Sequence, residues 1–151
     1  MTRMQTLQTL LEREEGLRDE ALSALCAAQS QLAAATAQAE ALATYRREYH
    51  ERWSAQFAQG GAIEIVRCYH AFVARLDQAI TQQNNAVRGA ELGVTRTRER
   101  LQVLEIRVAT VQRLMERHAR AAAQAQDRRE QKNLDELAQR RRPNAALVGF
   151  A

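Results

Sequence analysis

The chain has 151 residues, of which 26% are charged and only 5% aromatic, with one proline and six glycines. That balance excludes a rounded domain with a thick core, and the dominance of Ala, Gln, Arg, Glu and Leu belongs to long helices rather than strands. The net charge of +4 is uneven: residues 113–142 hold nine basic and five acidic side chains, the rest 13 of each, so the C-terminal end is the basic end.

The opening Met1-Thr2-Arg3-Met4-Gln5-Thr6 lacks the apolar centre of a signal peptide. No run approaches the ~18 apolar residues of a membrane span, so a cytoplasmic location is expected. Helix one is predicted over about 4–58 from apolar spacing. Its stripe is Leu25, Ala28, Leu32, Ala35, Ala39, Leu42, Arg46, Tyr49 and Trp53. Nearer the start, Met4, Leu7, Leu10 or Leu11, Leu17 and Leu22 continue it in a slipped phase, which predicts a stutter near Gly16.

The one strong break is Ala58-Gln59-Gly60-Gly61-Ala62, where two glycines can supply the positive φ angles of a reversal; the turn is placed at 59–62. Helix two follows over about 63–142, with a frayed tail at 143–151 after Pro143. Its seam is unusually regular: Val66, Tyr69, Val73, Leu76, Ile80, Gln83, Val87, Ala90, Val94, Thr97, Leu101, Leu104, Val108, Val111, Met115, His118, Ala122 and Ala125. A 3-4 repeat held this long needs a partner stripe, and the alanine-rich first helix provides holes for the branched side chains of the second. Gly89 and Gly93 interrupt this helix, either as tolerated weak points or as a place to bend.

The expected fold is therefore all-α: one domain, 1–151, formed as a long two-helix antiparallel coiled-coil hairpin with a C-terminal helical extension. A turn centred between Gly60 and Gly61 sets residue i opposite 121 − i, so Trp53 falls near Cys68 and Tyr69, and Met4 near Arg117. The helices would span about 80 Å and about 115 Å, leaving residues after Ala119 as a single basic helix. Cys26 and Cys68 fall on different helices about 40 Å apart and are expected as free thiols.

Catalytic motifs are missing from the sequence: no phosphate loop, no Cys-x-x-Cys, no His-Glu-x-x-His and no Gly-x-Ser-x-Gly. A two-helix hairpin also offers no desolvated pocket, so neither enzyme activity nor a small-molecule substrate or cofactor is expected. His50 and His70 fall nearly opposite each other, but a structural zinc needs four ligands, and no metal is expected. The basic end intersperses Asp127, Glu130, Asp135 and Glu136 among Arg128, Arg129, Lys132 and Arg140 and offers no stacking aromatics. That is a solvated helix or a protein-binding one rather than a nucleic-acid site.

A second stripe runs beside the turn. Gln38, Leu42, Tyr45 and Tyr49 share one side of helix one, and Phe72, Leu76, Ala79 and Gln83 one side of helix two. The mirror relation pairs Tyr49 with Phe72, Tyr45 with Leu76, Leu42 with Ala79 and Gln38 with Gln83. Such a patch is either a binding surface with Tyr45 and Phe72 partly exposed, or the widest part of the core.

At these residues the sequence resembles the FliJ family of flagellar type III export proteins. The resemblance rests on Tyr45-Arg46-Arg47-Glu48-Tyr49, the run from Phe72 through Leu76 to Ala79-Ile80-Thr81-Gln82, and the segment from Glu130-Gln131-Lys132 through Asp135-Glu136 to Arg140. One departure is Gln83, where the family can carry His. The resemblance implies a coiled coil similar to the stalk of rotary ATPases, cytoplasmic and peripherally associated with the inner membrane at the flagellar base. Implied partners are the hexameric export ATPase FliI, the membrane export gate protein FlhA and export chaperones. It assigns Gln38, Leu42, Tyr45, Tyr49, Phe72, Leu76, Ala79 and Gln83 to the gate, and Arg128, Arg129, Lys132, Asp135, Glu136 and Arg140 to the ATPase. The stalk of a virulence injectisome, or a generic coiled-coil scaffold, shares the same plan.

Overall fold

A computed structural model describes residues 2–141. Two helices account for nearly all of them, α1 (Arg3–Phe57) and α2 (Ile63–Arg141), and no strand occurs among the described residues. The expected tail at 143–151 lies outside the described residues. The start of α1 is fixed by a reciprocal cap. The Thr2 hydroxyl accepts from the Gln5 amide N–H at 3.2 Å, and the Gln5 side chain accepts from the Thr2 N–H at 2.9 Å. Two of the donors that every helix start leaves unpaired are thereby satisfied.

At the reversal, the Ala58 N–H donates to the Ser54 carbonyl and the Gly60 N–H to Phe57, closing the last turn of α1. Only Gly60 takes a positive φ, +94°; the expectation that both glycines do so is corrected here. Gly61 serves a different purpose, close approach: a Cβ there would lie 3.3 Å from the Phe57 ring. Glu64 in the first turn of α2 places negative charge at the positive end of the helix dipole.

The packing resolves into two compact units, Gly16–Glu105 and Met1–Glu15 with Ile106–Ala151. In Gly16–Glu105, α1 and α2 run antiparallel around a core of Ala21, Leu25, Val94, Leu101 and Leu104, against which Leu17, Ala28 and Leu32 pack. Small residues on α1 face branched ones on α2, which lets the backbones approach. Each fully covered Leu or Val contributes roughly 1.5–3 kcal/mol. In the other unit, Arg3 and Leu7 lie against Leu114, Arg117 and His118, again antiparallel.

The burial pattern follows the 3-4 repeat residue by residue. On α2 the buried or half-buried seam positions run from Val66 to His118; Ala122 and Ala125 are exposed. On α1 the repeat runs through Leu11, Glu14, Arg18, Ala21 and Leu25 without a slip. Leu22 is 49% exposed while Ala21 is 4% exposed, so the expected stutter near Gly16 is not needed. The frame is held by two charged residues, Glu14 and Arg18, in seam positions. Two polar seam residues on α2 find partners: the Thr97 hydroxyl donates to the Gly93 carbonyl at 2.9 Å, and the Gln83 amide to the Ala35 carbonyl at 3.0 Å across the seam. The helix continues through Gly89 and Gly93.

Leu104→Ala removes one of the best-covered side chains, 4% exposed, and is expected to cost about 2–5 kcal/mol in denaturant unfolding followed by circular dichroism. Gly60→Ala forces a Cβ into a left-handed conformation and should cost roughly 1–2 kcal/mol by the same measurement.

Candidate functional site

The six aromatic side chains among the described residues gather beside the turn, in Gly16–Glu105. Tyr45, Tyr49, Trp53 and Phe57 follow one another at four-residue steps, each touching the next with centroids 6.0, 6.0 and 5.4 Å apart. Four-residue steps overshoot a helical turn by about 40°, so the ladder crosses the seam obliquely. Tyr45 stands on one flank, 48% exposed, while Tyr49 and Trp53 sit in the seam. From α2, Tyr69 stacks on Tyr49 at 5.6 Å and takes Phe57 edge-on at 5.3 Å. Phe72 meets Tyr49 at 4.7 Å and Tyr45 at 6.4 Å, and remains 38% exposed. Aromatic pairs in such geometries contribute about 0.5–1.5 kcal/mol each beyond the area they cover.

The two flanks of this stretch differ in chemistry. Asp77 lies about 140° round α2 from Phe72, and its carboxylate takes both the Nε–H and an Nη–H of Arg46 across the seam. That hydrogen bond first, and the charge of Asp77 second, push the Arg46 guanidinium up from its ordinary value and hold it charged. On the same side the His50 Nδ1 and the Tyr69 hydroxyl are 2.8 Å apart, and the His70 ring meets the Tyr69 edge. One flank is thus closed by polar pairs. The other is open and apolar, with a groove of about 650 Å³ lined by Trp53, Ile65, Cys68 and Phe72 and bordered by Glu64 and Arg75.

Of the residues expected in the patch, Gln38, Tyr45 and Phe72 are exposed and Leu42, Tyr49 and Ala79 half-buried. Leu76 is 7% exposed and belongs to the hairpin's own packing. Gln83 commits its amide to Ala35, one helical turn before Gln38. Sequence reasoning missed the groove residues Ile65, Cys68 and Arg75. The signal for them was present, since Ile65 stands one heptad before Phe72 and therefore on the same flank.

Within the other unit, every described residue of α2 beyond His118 is exposed. Arg128, Arg129, Lys132 and Arg140 fall within an arc of about 120°. Leu134 and Leu137, 61% and 51% exposed, occupy another. The side-chain contacts here run from Gln126 to Glu130 at 3.1 Å and from Gln131 to Asp135 at 3.3 Å. The four basic groups form no ion pair among the described residues, and Glu136 and Arg140 border a shallow groove with Asn133 and Leu137.

No group of three or more His, Cys, Asp or Glu among the described residues could hold a metal, and no described helix is long and apolar enough to cross a membrane. Cys26 and Cys68 are free and exposed.

Two long antiparallel helices packed against each other define an all-α helical hairpin. The family model of the flagellar FliJ protein matches residues 4–146, and the chain belongs to that family, a structural component of the flagellar type III export apparatus. No curated protein and no solved structure matches the chain.

The contrast between Leu76 and Tyr45 is directly measurable. Leu76→Ala should lower unfolding stability by about 2–5 kcal/mol, whereas Tyr45→Ala, at an exposed flank where its two ring contacts, to Tyr49 and Phe72, are lost, should cost less, about 1–2 kcal/mol.

Proposed function

We propose that this chain links the export ATPase ring to the membrane export gate, without catalysing a reaction itself. The gate protein, of the FlhA kind, docks on the open flank carrying Tyr45, Tyr49 and Phe72, with Gln38, Leu42 and Ala79 beside them. Leu76 and Gln83 support that flank from beneath. The ATPase, of the FliI kind, meets the helix after His118 through Arg128, Arg129, Lys132 and Arg140, with Asp135 and Glu136 setting register. Export chaperones are further partners. The chain then works in the cytoplasm, held at the inner membrane only through the gate.

The observation that carries this reading is the exposure of Tyr45 and Phe72, 48% and 38%, on the one flank that no polar pair closes. Aromatic side chains left half in water at a rigid, prepacked surface are the anchors that protein interfaces favour. The basic arc favours an acidic counterpart, and at such a rim charge sets orientation and approach rate more than affinity.

The double variant Tyr45→Ala with Phe72→Ala should keep its far-UV helical signal and lose capture of the gate protein, a cost of about 2 kcal/mol or more in binding. A collapse of helicity would instead make both residues core. Reversing charge at Arg128 and Arg129 to Glu should weaken ATPase association, most of all at low salt. A pull-down unchanged across salt concentrations would remove the ATPase assignment.

A further inference from the structure

The seam at the start of α1 is built differently from the rest. In the unit Met1–Glu15 with Ile106–Ala151, the seam residues that α1 contributes are Met4, Leu7, Leu11 and Glu14, none of them more than half-buried. α2 answers with Val108 and Val111, 4% and 5% exposed. Glu14 is the defect: its Oε2 is shut away from solvent without a hydrogen-bond partner. A carboxylate oxygen that leaves water and gains no donor favours any state in which it is wetted again. Arg46 to Asp77, Tyr69 to His50 and Gln83 to Ala35 tie the two helices across the seam within Gly16–Glu105. Directly after Glu15 comes Gly16, with open space about its Cα, where helical backbone is least stiff.

We infer that residues 4–14 of α1 form a releasable strap over residues 108–118 of α2, held closed by Met4, Leu7 and Leu11 and kept ready to open by the one stranded oxygen, Oε2, of the half-buried Glu14. Opening wets Glu14 and bares Val108, Val111 and Met115. These stand in the same 3-4 spacing that an incoming helix would need to take the strap's place. Local opening of this kind occurs without unfolding the remainder of a protein, because each cooperative unit has its own stability. The inference rests on the seam alone and stands whether or not the partners proposed above are correct.

Three valines of nearly equal burial provide the test: Val94 at 7%, Val108 at 4% and Val111 at 5%. Each is changed singly to Cys in the full chain, with the exposed Cys26 and Cys68 replaced by Ser, and the rate of labelling by a maleimide is followed. The thiols at 108 and 111 should react at least about tenfold faster than the one at 94, since a buried thiol reacts through opening. Adding Glu14→Leu should slow labelling at 108 and 111 by about tenfold and leave 94 unchanged, with helicity equal by circular dichroism. Equal rates at the three positions overturn the inference. So does faster labelling at 108 and 111 that Glu14→Leu fails to slow, since the strap would then not be governed by the stranded carboxylate.

Discussion

Two helices that each carry an apolar stripe too long to leave in water cover one another, and every other feature of this protein follows from that mutual shelter. Neither stripe would hold its helix in a defined place alone. The second brings branched side chains, the first mostly alanine and leucine, and the 3-4 spacing keeps the two in step from the turn outward. With no third layer, each helix buries only the arc that faces its partner, and whatever stands on a flank stays in water. A thin core therefore makes flank chemistry decisive, which is why the difference between the Arg46–Asp77 flank and the Tyr45–Phe72 flank matters.

Much of this was legible from residue order. The seam of α2 from Val66 to His118, the reversal at the glycines and the meeting of Tyr49 with Phe72 all follow from spacing alone, because a heptad repeat fixes both which residues face inward and which face each other. Where the reading failed, it failed on residues whose burial is set by frame rather than by hydrophobicity. Leu22 attracted attention as a leucine, yet Ala21 holds the seam, and Glu14 and Arg18 carry the frame through a charged stretch. By spacing Leu76 belongs both to the seam and to the patch with Phe72, and its four-residue step from Phe72 carries it into the core. Glycine pairs are similarly ambiguous in sequence: one of these supplies a left-handed φ, the other only makes room for Phe57.

The aromatic ladder shows how one spacing serves two ends. Four-residue steps drift round the helix, so a single row of rings both fills the seam at Tyr49 and Trp53 and emerges from it at Tyr45. The interior rings hold the exposed ones in place, which lowers the ordering cost of any contact that Tyr45 and Phe72 make. Membership of the flagellar FliJ protein family gives that prepacked surface a setting in the export apparatus.

The registry of the hairpin also constrains how such a gene can change in length. One codon added within either paired helix would rotate everything beyond it by about 100° and turn the seam outward. Insertions and deletions that keep the seam inward come in whole heptads or in the three- or four-residue steps that locally rewind a coiled coil, matched on both arms. Only the turn and the part of α2 beyond His118 are exempt, so divergence in size among descendants of this gene should collect at those two places.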